Sequence, residues 1–398
     1  MRTLFKLLIV PALFMLVSCA QEEPITRVIN ESLDFSVKQY SLMTSVMKDK
    51  EGQLPRTIDS DGKLRTENSR WWTSGFYPGC LWYLYEYSKD QKIKDEAMMM
   101  TARVEQEKYT TNNHDVGFML YCSFGNGLRI TGEESYNEVL LTGAKSLSTR
   151  FRPNIGCIQS WGSNKKWQCP VIIDNMMNLE LLMWAFKKSG DSSYYRIAVS
   201  HADTTMKYHF RPDYSTYHVV SYDTITGKVQ VRQTAQGFSD ESAWSRGQSW
   251  GLYGYTMMYR ETKLDRYLHQ AEHIADFLIN HPNLPEDNIP YWDYDAPGIP
   301  DAARDASAGS IMASALIELS GYVSPETGKK YLQVAETQIR TLSSPEYRAN
   351  PGDNGNFILM HSVGSIPANS EVDVPLTYAD YYFIEALVRM KAKLENGL

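Results

Sequence analysis

Apolar residues recur with a helical period along most of the chain. Segments such as YLHQAEHIADFLI and YYFIEALVRMKAKL space apolar side chains so that one face of an α-helix is buried. Short polar or Gly/Pro breaks separate these segments, so the pattern predicts about twelve helices. The predicted helices span residues 28–47, 75–87, 93–107, 116–131, 135–149, 172–189, 194–209, 244–262, 265–280, 306–321, 327–342 and 378–394.

One segment has the two-residue period of paired strands instead. The stretches YHVVSYD and GKVQVRQT, around residues 217–234, are joined by a TITGK turn. The sequence therefore predicts one small β-hairpin in an otherwise all-α protein. No low-complexity linker or sharp change of composition follows residue 25, so residues 28–398 are predicted to form a single domain.

The loops between the predicted helices carry the unusual residues. ENSRWWTSGFYPG, GCIQSWGSNKKWQCP, TAQGFSDESAWSRGQSW and NIPYWDYDAPGIPDAARDASA combine Trp or Tyr with polar and charged side chains. Long loops of this composition usually serve a function rather than simply connect elements. They recur after alternate helices, which is expected when every second loop faces one end of a barrel of helices.

The first residues have the layout of an export signal. Arg2 and Lys6 precede an apolar run, residues 7–17, which is too short to span a bilayer. The run ends in LVSCA, which resembles a bacterial lipobox with Cys19 as the lipidated residue. We expect a lipoprotein signal peptide at 1–19 and a short tether at 20–27. The expected location is the periplasm or outer membrane of a Gram-negative bacterium, with membrane contact only through the lipid anchor.

Composition narrows the possible partners. The chain is 43% hydrophobic with a formal net charge of −7, and no run of Lys or Arg alternates with aromatic residues, which argues against nucleic acid. Its 9 Trp and 26 Tyr residues are typical of a protein with a sugar site, because sugar C–H faces stack on aromatic rings. The alternative is that these rings are large core residues.

Four cysteines follow Cys19, and no two of them form a CxxC pair, which argues against a zinc site. Cys157 and Cys169 flank one Trp-rich loop and are the best candidates for a disulfide in an oxidising compartment. Free buried thiols are the alternative.

Two aspartates interrupt apolar segments near predicted helix starts. Asp115 lies in NNHDVGFML and Asp174 in PVIIDNMMNLELL. An aspartate in a first turn can simply stabilise the helix N-terminus. Two such carboxylates at the loop-bearing end of one barrel instead indicate chemistry, because glycoside hydrolysis ordinarily uses two flanking carboxylates. Apolar surroundings also raise the pKa of a carboxyl group, which suits a general acid.

The stretch SDESAWSRGQSWGLYG places Trp244, Arg246 and Trp250 across a loop and the first turn of a helix. Arg246 and Trp250 are four residues apart and share a helix face. An arginine beside two indoles can bind an acidic sugar, with the guanidinium forked on the carboxylate and an indole against the ring. A structural cation–π cluster is the alternative.

Several stretches together resemble glycoside hydrolase family 88, the unsaturated glucuronyl hydrolases. They occur in order over roughly residues 25–395. The stretches are RWWTSGFYPG, NHDVGF, IIDNMMNLELLMWA, YHVVSYD, TAQGFSDESAWSRGQSWGLYG and PLTYADYYFIEAL. The resemblance implies an (α/α)6 barrel over residues 28–398 as the catalytic domain, and neither a metal ion nor an organic cofactor.

The resemblance also implies roles for individual residues. Asp174 matches the catalytic acid/base, and Asp115 matches the partner carboxylate that orients the sugar hydroxyls and tunes Asp174. A stacking tyrosine near the C-terminus corresponds to Tyr378, Tyr381 or Tyr382, of which Tyr378 is our candidate. The other substrate-binding residues that it implies are Trp72, His114, His218, Gln236, Trp244, Arg246 and Trp250, with Ser365 in HSVGSIPANSE at the neighbouring sugar.

The implied reaction removes a 4,5-unsaturated uronic acid from oligosaccharides made by polysaccharide lyases. Asp174 donates a proton to C4, water adds at C5, and the resulting hemiketal opens so that the aglycone leaves. The expected substrates are unsaturated chondroitin, hyaluronan or heparin/heparan disaccharides and short oligosaccharides. Lys165 and Lys166, or the loop of Ser362 and Ser365, are candidate sulfate contacts. The latter loop lacks a nearby lysine, which argues against a strong 6-O-sulfate preference.

Two other interpretations are compatible with parts of the pattern. One is a related enzyme on the same barrel that acts on unsaturated galacturonyl-rhamnose from pectin. The NHDVGF and SRGQSW contexts favour the glucuronyl family over it. The other is a non-catalytic glycan-binding lipoprotein, which leaves the pair Asp115 and Asp174 without a role.

Overall fold

The computed structural model describes residues 23–397. The predicted signal peptide, Cys19 and residues 20–22 of the predicted tether lie outside the described residues. The first helix begins at Ile25, within the rest of that tether. Within residues 23–397, no helix is both long and apolar enough to cross a membrane.

Helical segments form two concentric rings, and outer and inner segments alternate along the chain. The outer helices are α1 (Ile25–Met47), α3 (Gln91–Ala102), α6 (Tyr136–Ser148), α8 (Ser192–Tyr208), α10 (Asp265–Ile279) and α12 (Pro325–Leu342). The inner segments are α2 (Phe76–Ser88), α4 (Val116–Leu120) continued by α5 (Asn126–Thr131), α7 (Leu179–Ser189), α9 (Ser245–Thr262), α11 (Ala306–Leu319) and α13 (Thr377–Glu395). Because α13 packs against both α11 and α2, the inner ring closes. This is the expected (α/α)6 barrel.

The residue pattern explains which helices lie inside. Outer helix α12 buries one stripe, including Tyr331, Ala335 and Ile339, and exposes polar residues on its other side. Inner helix α11 is buried over almost its whole surface, and its Ala, Ser and Gly residues allow neighbouring helices to approach on both sides. A helix that is apolar or small all round can only be stable when other elements surround it.

Four small sheets lie within the described residues, so the prediction of a single hairpin was wrong. The predicted hairpin is confirmed as β6 (Val219–Tyr222) and β7 (Val229–Gln233), and β5 (Pro170–Ile172) joins it as a third strand. The other strands pair as β1 (Gln53–Ile58) with β2 (Leu64–Asn68), β3 (Phe151–Arg152) with β4 (Cys157–Ile158), and β8 (Ser362–Ser365) with β9 (Ser370–Val374). Strand β1 is buried at four consecutive positions, which include Arg56 and Thr57, so it shows no apolar and polar alternation.

Three predicted helices differ from the structure in their interior or ends. The segment 116–131 contains a π-helical turn, Tyr121–Gly125, between α4 and α5. The predicted helix 172–189 is β5 followed by a 3₁₀ turn, Ile173–Asn178, before α7 begins. Helix α3 ends at Ala102, and a separate 3₁₀ turn covers Glu105–Tyr109. The second difference matters most, because Asp174 lies in that 3₁₀ turn.

The four cysteines of the described residues are all free and buried. Cys157 and Cys169 pack in one small apolar cluster with Val171, Val220 and Tyr222 at the three-stranded sheet. Cys157 and Cys169 are therefore free buried thiols, which was the alternative to a disulfide between them. Burial raises the pKa of the Cys169 thiol to about 11, so the thiol is neutral and unreactive at neutral pH.

Candidate active site

The N-terminal ends of the inner segments meet at one end of the barrel. Trp72 precedes α2, Asp115 precedes α4, Asp174 precedes α7, Trp244 precedes α9, Asp305 precedes α11 and Tyr378 lies in the first turn of α13. Aligned peptide dipoles place partial positive charge at helix N-termini. This end of the barrel is therefore suited to an anionic ligand.

Asp115 is fastened directly to the segment that carries Asp174. Its side chain makes no capping hydrogen bond to α4, so it does not act as a helix cap. A Cβ on Gly117 would lie only 2.6 Å from the Cα of Asn178, so only glycine allows this close approach. The Phe118 N–H also donates a hydrogen bond to Asn178 Oδ1 at 2.8 Å. The two aspartates are thus held in a fixed relation.

The three-stranded sheet places Asp174 beside His218. Ile172 pairs with Val219, and the next backbone N–H, of Ile173, donates to the carbonyl of His218 at 3.2 Å. His218 Nε2 then lies 3.7 Å from Asp174 Oδ2. This oxygen is buried and has no hydrogen-bond partner among the described residues. An unsatisfied buried carboxyl oxygen is unusual and is a mark of a functional site.

The tautomer of His218 follows from its hydrogen bonds. The backbone N–H groups of Ala235 and Gln236 both donate to His218 Nδ1, each at 3.2 Å. A neutral imidazole that accepts at Nδ1 carries its hydrogen on Nε2, which faces Asp174. Burial and, to a smaller extent, the charge of Arg246 lower the pKa of His218 to about 3. The Trp244 ring lies against the imidazole, with ring centroids 4.4 Å apart.

The pKa values of both aspartate carboxyl groups lie well above the usual value for an aspartate. Burial raises the pKa of Asp174 to about 7; the charge of Arg246 opposes this rise and the carboxylate of Asp115 adds to it. Burial likewise raises the pKa of Asp115 to about 7, although side-chain hydrogen bonds with Asn178 and Asn113 act to lower it. The side chains of Asp174 and Asp115 keep 13% and 14% exposure, so a ligand can reach them.

The guanidinium of Arg246 is not free to bind a ligand carboxylate through two hydrogen bonds, which is contrary to the binding mode predicted for it. Its Nη1 donates to Asp305 at 3.0 Å and to the Val363 carbonyl, and its Nη2 donates to Gln236 Oε1 at 2.9 Å and to the Gly364 carbonyl at 2.7 Å. All four Nη hydrogens are therefore used. A fully buried guanidinium requires such partners, because an unpaired buried charge is very unfavourable.

The guanidinium of Arg246 also lies over aromatic faces, as the cation–π alternative supposed. Its Cζ is 4.5 Å from the centroid of Trp244 and 5.3 Å from that of Tyr378. The contacts of Arg246 therefore link α9 to strand β8 and to the start of α13. Its positive charge still acts on Asp174 through space, as the pKa of that group shows.

Aromatic residues form one wall of the site. Trp72 is half-buried, with ring centroids 5.0 Å from Tyr378 and 5.7 Å from Phe118. Trp250 lies one helical turn deeper than Arg246, is fully buried, and packs against Phe118 at 5.2 Å. Among the three tyrosine candidates, Tyr378 is the one in contact with Trp72 and Arg246. Tyr381 and Tyr382 pack deeper in the barrel.

His114 and Ser365 lie next to residues of this arrangement. His114 Nε2 is 3.5 Å from Asp115 Oδ1, and burial lowers the pKa of His114 to about 3, so the ring is neutral. Ser365 ends β8 directly after the two carbonyls that bind Arg246. Its Oγ is buried without a partner in the part of the chain that the structure describes. Within residues 23–397, no three His, Cys, Asp or Glu side chains are arranged to hold a metal ion.

Sequence reasoning missed several residues that build the site. Asp305 pairs with Arg246 from a loop that reads as polar and solvated. Asn178 ties the two aspartate segments together, and Arg150 is buried near Asp115 and lowers its pKa by charge. The NMMN spacing after Asp174 was a usable signal for Asn178, because that position falls within the same turn. No local pattern indicates the other two.

Two buried carboxyl groups with raised pKa values, a neutral histidine and an aromatic wall define a carboxylate-dependent glycosidase site on an (α/α)6 barrel. The sequence profile of Glycosyl Hydrolase Family 88 matches residues 52–391. The chain belongs to this family.

Individual relatives agree with this assignment. An unsaturated glucuronyl hydrolase of Formosa agariphila is 50% identical over 323 residues, which cover 81% of this chain and 80% of the relative. An unsaturated chondroitin disaccharide hydrolase of Streptococcus agalactiae is 32% identical over 372 residues, 91% of each chain. The crystal structure of an unsaturated glucuronyl hydrolase specific for heparin superposes with a TM-score of 0.90 at 48% identity, covering 93% of this chain and 98% of that one.

Proposed function

We propose that this protein removes the 4,5-unsaturated uronic acid from the non-reducing end of lyase-generated glycosaminoglycan oligosaccharides, by hydrating the C4=C5 double bond. The observation that carries the proposal is the state of Asp174. Burial raises the pKa of its carboxyl group to about 7, its side chain is 13% exposed, and its Oδ2 has no hydrogen-bond partner among the described residues. These are the requirements for a general acid.

The proposed reaction begins with proton transfer from Asp174 to C4 of the uronate. The π electrons of the C4=C5 bond form the new C4–H bond, and positive charge at C5 is shared with the ring oxygen. Water then adds at C5 and gives its proton to the carboxylate of Asp174. The resulting hemiketal opens by breaking the bond between C5 and the ring oxygen, which leaves a ketone at C5 and a hemiacetal at C1. The hemiacetal collapses to an aldehyde and releases the aglycone with a free hydroxyl, so that one water is consumed and Asp174 is restored.

The neighbouring residues take supporting roles in this proposal. Asp115 binds the sugar hydroxyls and keeps the pKa of Asp174 high through its charge. His218 offers its Nε2 hydrogen toward Asp174 and the reacting ring, since its Nδ1 is already occupied. Trp72 and Tyr378 contact the sugar faces, and His114 and Gln236 contact its hydroxyls.

The uronate carboxylate is attracted mainly by the helix N-termini and by the buried charge of Arg246. The guanidinium acts at a distance, because its Nη hydrogens bind protein acceptors. Trp250 supports Phe118 from below and Trp244 supports His218. Ser365, whose Oγ has no partner among residues 23–397, contacts the sugar next to the cleaved bond.

The decisive experiment follows the ultraviolet absorbance of the conjugated C4=C5 uronate. Unsaturated chondroitin, hyaluronan and heparin disaccharides are each mixed with the purified protein. Loss of absorbance with any of them, with release of the free aglycone sugar, supports the proposal. Loss only with an unsaturated rhamnogalacturonan disaccharide assigns the pectin substrate instead. No loss with any of the four disaccharides, using folded protein, overturns the enzymatic proposal and favours a glycan-binding role.

We also propose that the protein is exported and anchored through Cys19, with residues 28–398 as one catalytic domain. The support is the charged, apolar and LVSCA layout of the N-terminus. Expression of the full chain with a labelled fatty acid should give a labelled, membrane-bound protein in a Gram-negative host. Cys19→Ala should abolish the label; a labelled variant, or an unlabelled wild type, would contradict the anchor.

A further inference from the structure

Both ends of the loop 160–170 are fixed to β5, the strand that leads to Asp174. The Ser160 N–H donates to the Pro170 carbonyl at 2.9 Å, which closes the loop. Pro170 begins β5, the strand that leads to Asp174. Ser160 Oγ accepts from the Ile172 N–H at 3.0 Å, so the base of the loop is fixed to the same strand.

The tip of this loop is held in one conformation. Asn164 Oδ1 accepts from the backbone N–H groups of Lys166 and Trp167, at 2.8 and 3.0 Å. The indole Nε1–H of Trp167 donates to Gln233 Oε1 at 2.9 Å, which ties the tip to the end of β7. The Trp161 ring packs edge-on against Trp167 with centroids 5.5 Å apart. An ordered loop of this kind presents its side chains at low entropic cost.

Lys166 is an unpaired cation on this ordered tip. Its Nζ lies 4.4 Å from the centroid of the Trp167 ring and, among the described residues, within salt-bridge distance of no carboxylate. The neighbouring Trp167 contacts Gln233, which pairs with Val219, the residue directly after His218, so the tip lies beside the active site. In a protein with a net charge of −7, an unpaired lysine beside a sugar site attracts an anionic part of the substrate.

We propose that Lys166, seated on Trp167, binds a sulfate group carried by the sugar next to the unsaturated uronate. The ammonium pairs with the sulfate oxygens, and the indole holds the ammonium in place and excludes water from one side. The inference rests on the proposed function. It assigns sulfate recognition to this loop rather than to the loop of Ser365.

The test compares Lys166→Ala with wild type on pairs of unsaturated disaccharides in which one member carries a sulfate that the other lacks. The pairs are unsulfated and 6-O-sulfated chondroitin, and N-acetylated and N-sulfated heparin disaccharides. For at least one sulfated member, KM should rise about three- to fivefold in Lys166→Ala, which is the range for a partly exposed charge pair. The KM for the unsulfated partner and kcat for both should stay unchanged.

Three controls separate this role from a general effect. Lys165→Ala, which removes a neighbouring exposed lysine, should leave the sulfate preference unchanged. Lys166→Arg should keep the preference, because it keeps the charge over the indole. Raising the salt concentration should reduce the sulfate preference in wild type but not in Lys166→Ala, since salt screens exposed charges.

Several outcomes would overturn the inference. An equal change of KM for sulfated and unsulfated partners would make Lys166 a general substrate or loop-shaping residue. No change for either would leave sulfate recognition to another loop. Failure of wild type to act on any unsaturated disaccharide is a different result, because it would contradict the proposed function itself.

Discussion

At the scale of single residues, the chemistry depends on one proton held by Asp174. We predict that Asp174→Asn lowers kcat by about 10³-fold or more, because an amide cannot donate the proton, while substrate still binds. Stopped assays with the unsaturated disaccharide measure kcat, and equilibrium titration measures binding. Asp61→Asn, at an exposed aspartate, is the matched control. Substantial turnover by the variant, after mass spectrometry has excluded deamidation, would contradict the mechanism.

The carboxylate of Asp115 should help to set the pH range in which the protein is active. A carboxyl group with a pKa near 7 donates a proton below that pH, so activity should be lost as pH rises through about 7. Asp115 raises the pKa of Asp174 by its charge. In Asp115→Asn we therefore predict a fall in kcat/KM of about 10²-fold and a shift of the alkaline limb to lower pH. The pH profile of kcat/KM measures this. An unshifted alkaline limb would remove Asp115 from the control of Asp174.

The residue scale also shows where sequence reasoning stops. Asp115 and Asp174 could be selected because each is a charged residue in an apolar run. The binding mode of Arg246 could not be derived, since its partner Asp305 and the carbonyls of Val363 and Gly364 come from distant segments. A short sequence pattern can indicate a buried arginine only when the residues that bind the arginine are close to it in the sequence.

At the scale of elements, the contact of Gly117 with Asn178 fixes the distance between the two aspartate segments. We predict that Gly117→Ala reduces kcat about 10–100-fold, because the added Cβ meets backbone and must push α4 away from the 3₁₀ turn. Kinetics and the free energy of unfolding are measured together. Gly251→Ala in α9, where the Cβ would make contacts of 3.6 Å, should keep kcat unchanged. Normal kcat in Gly117→Ala would show that the spacing tolerates displacement.

The long helices could be predicted from the sequence more fully than the small sheets could. Long amphipathic segments such as α10 and α12 have a clear period, which fixes their type and approximate ends. The run PVIIDNMMN is short and apolar, and such a run is compatible with either a strand or a helix. Pairing of β5 with the distant β6 decides between them, and this tertiary contact cannot be derived from local pattern.

At the scale of the whole molecule, ion pairs deeper in the barrel join the inner helices away from the site. Arg260, in the last turn of α9, binds Glu318 of α11 at 3.0 Å and also Glu180 of α7. Arg389 of α13 binds the same Glu318 at 3.0 Å. These contacts connect four inner segments where no substrate residue lies. The site end can therefore keep unsatisfied groups, such as Asp174 Oδ2, while the barrel remains closed.

Those unsatisfied groups should lower the stability of the whole protein in a pH-dependent way. The carboxyl of Asp174 titrates near 7 in the folded state but near 3.8 in the unfolded state. Between these values the folded state binds more protons, so this group makes the free energy of unfolding fall as pH rises. Asparagine does not titrate. We predict that Asp174→Asn is equal to wild type near pH 4 and more stable by about 3–4 kcal/mol near pH 7–8.

Urea unfolding of both proteins over this pH range measures the difference. The comparison with wild type cancels the opposite effect of the buried histidines, whose lowered pKa values make stability rise with pH below about 6.5. Asp61→Asn, at an exposed aspartate, is again the matched control. If the gain of Asp174→Asn were the same at every pH, the folded state would not raise the pKa of the carboxyl, which would then be ionised at neutral pH. The proton that the proposed reaction requires would then be absent.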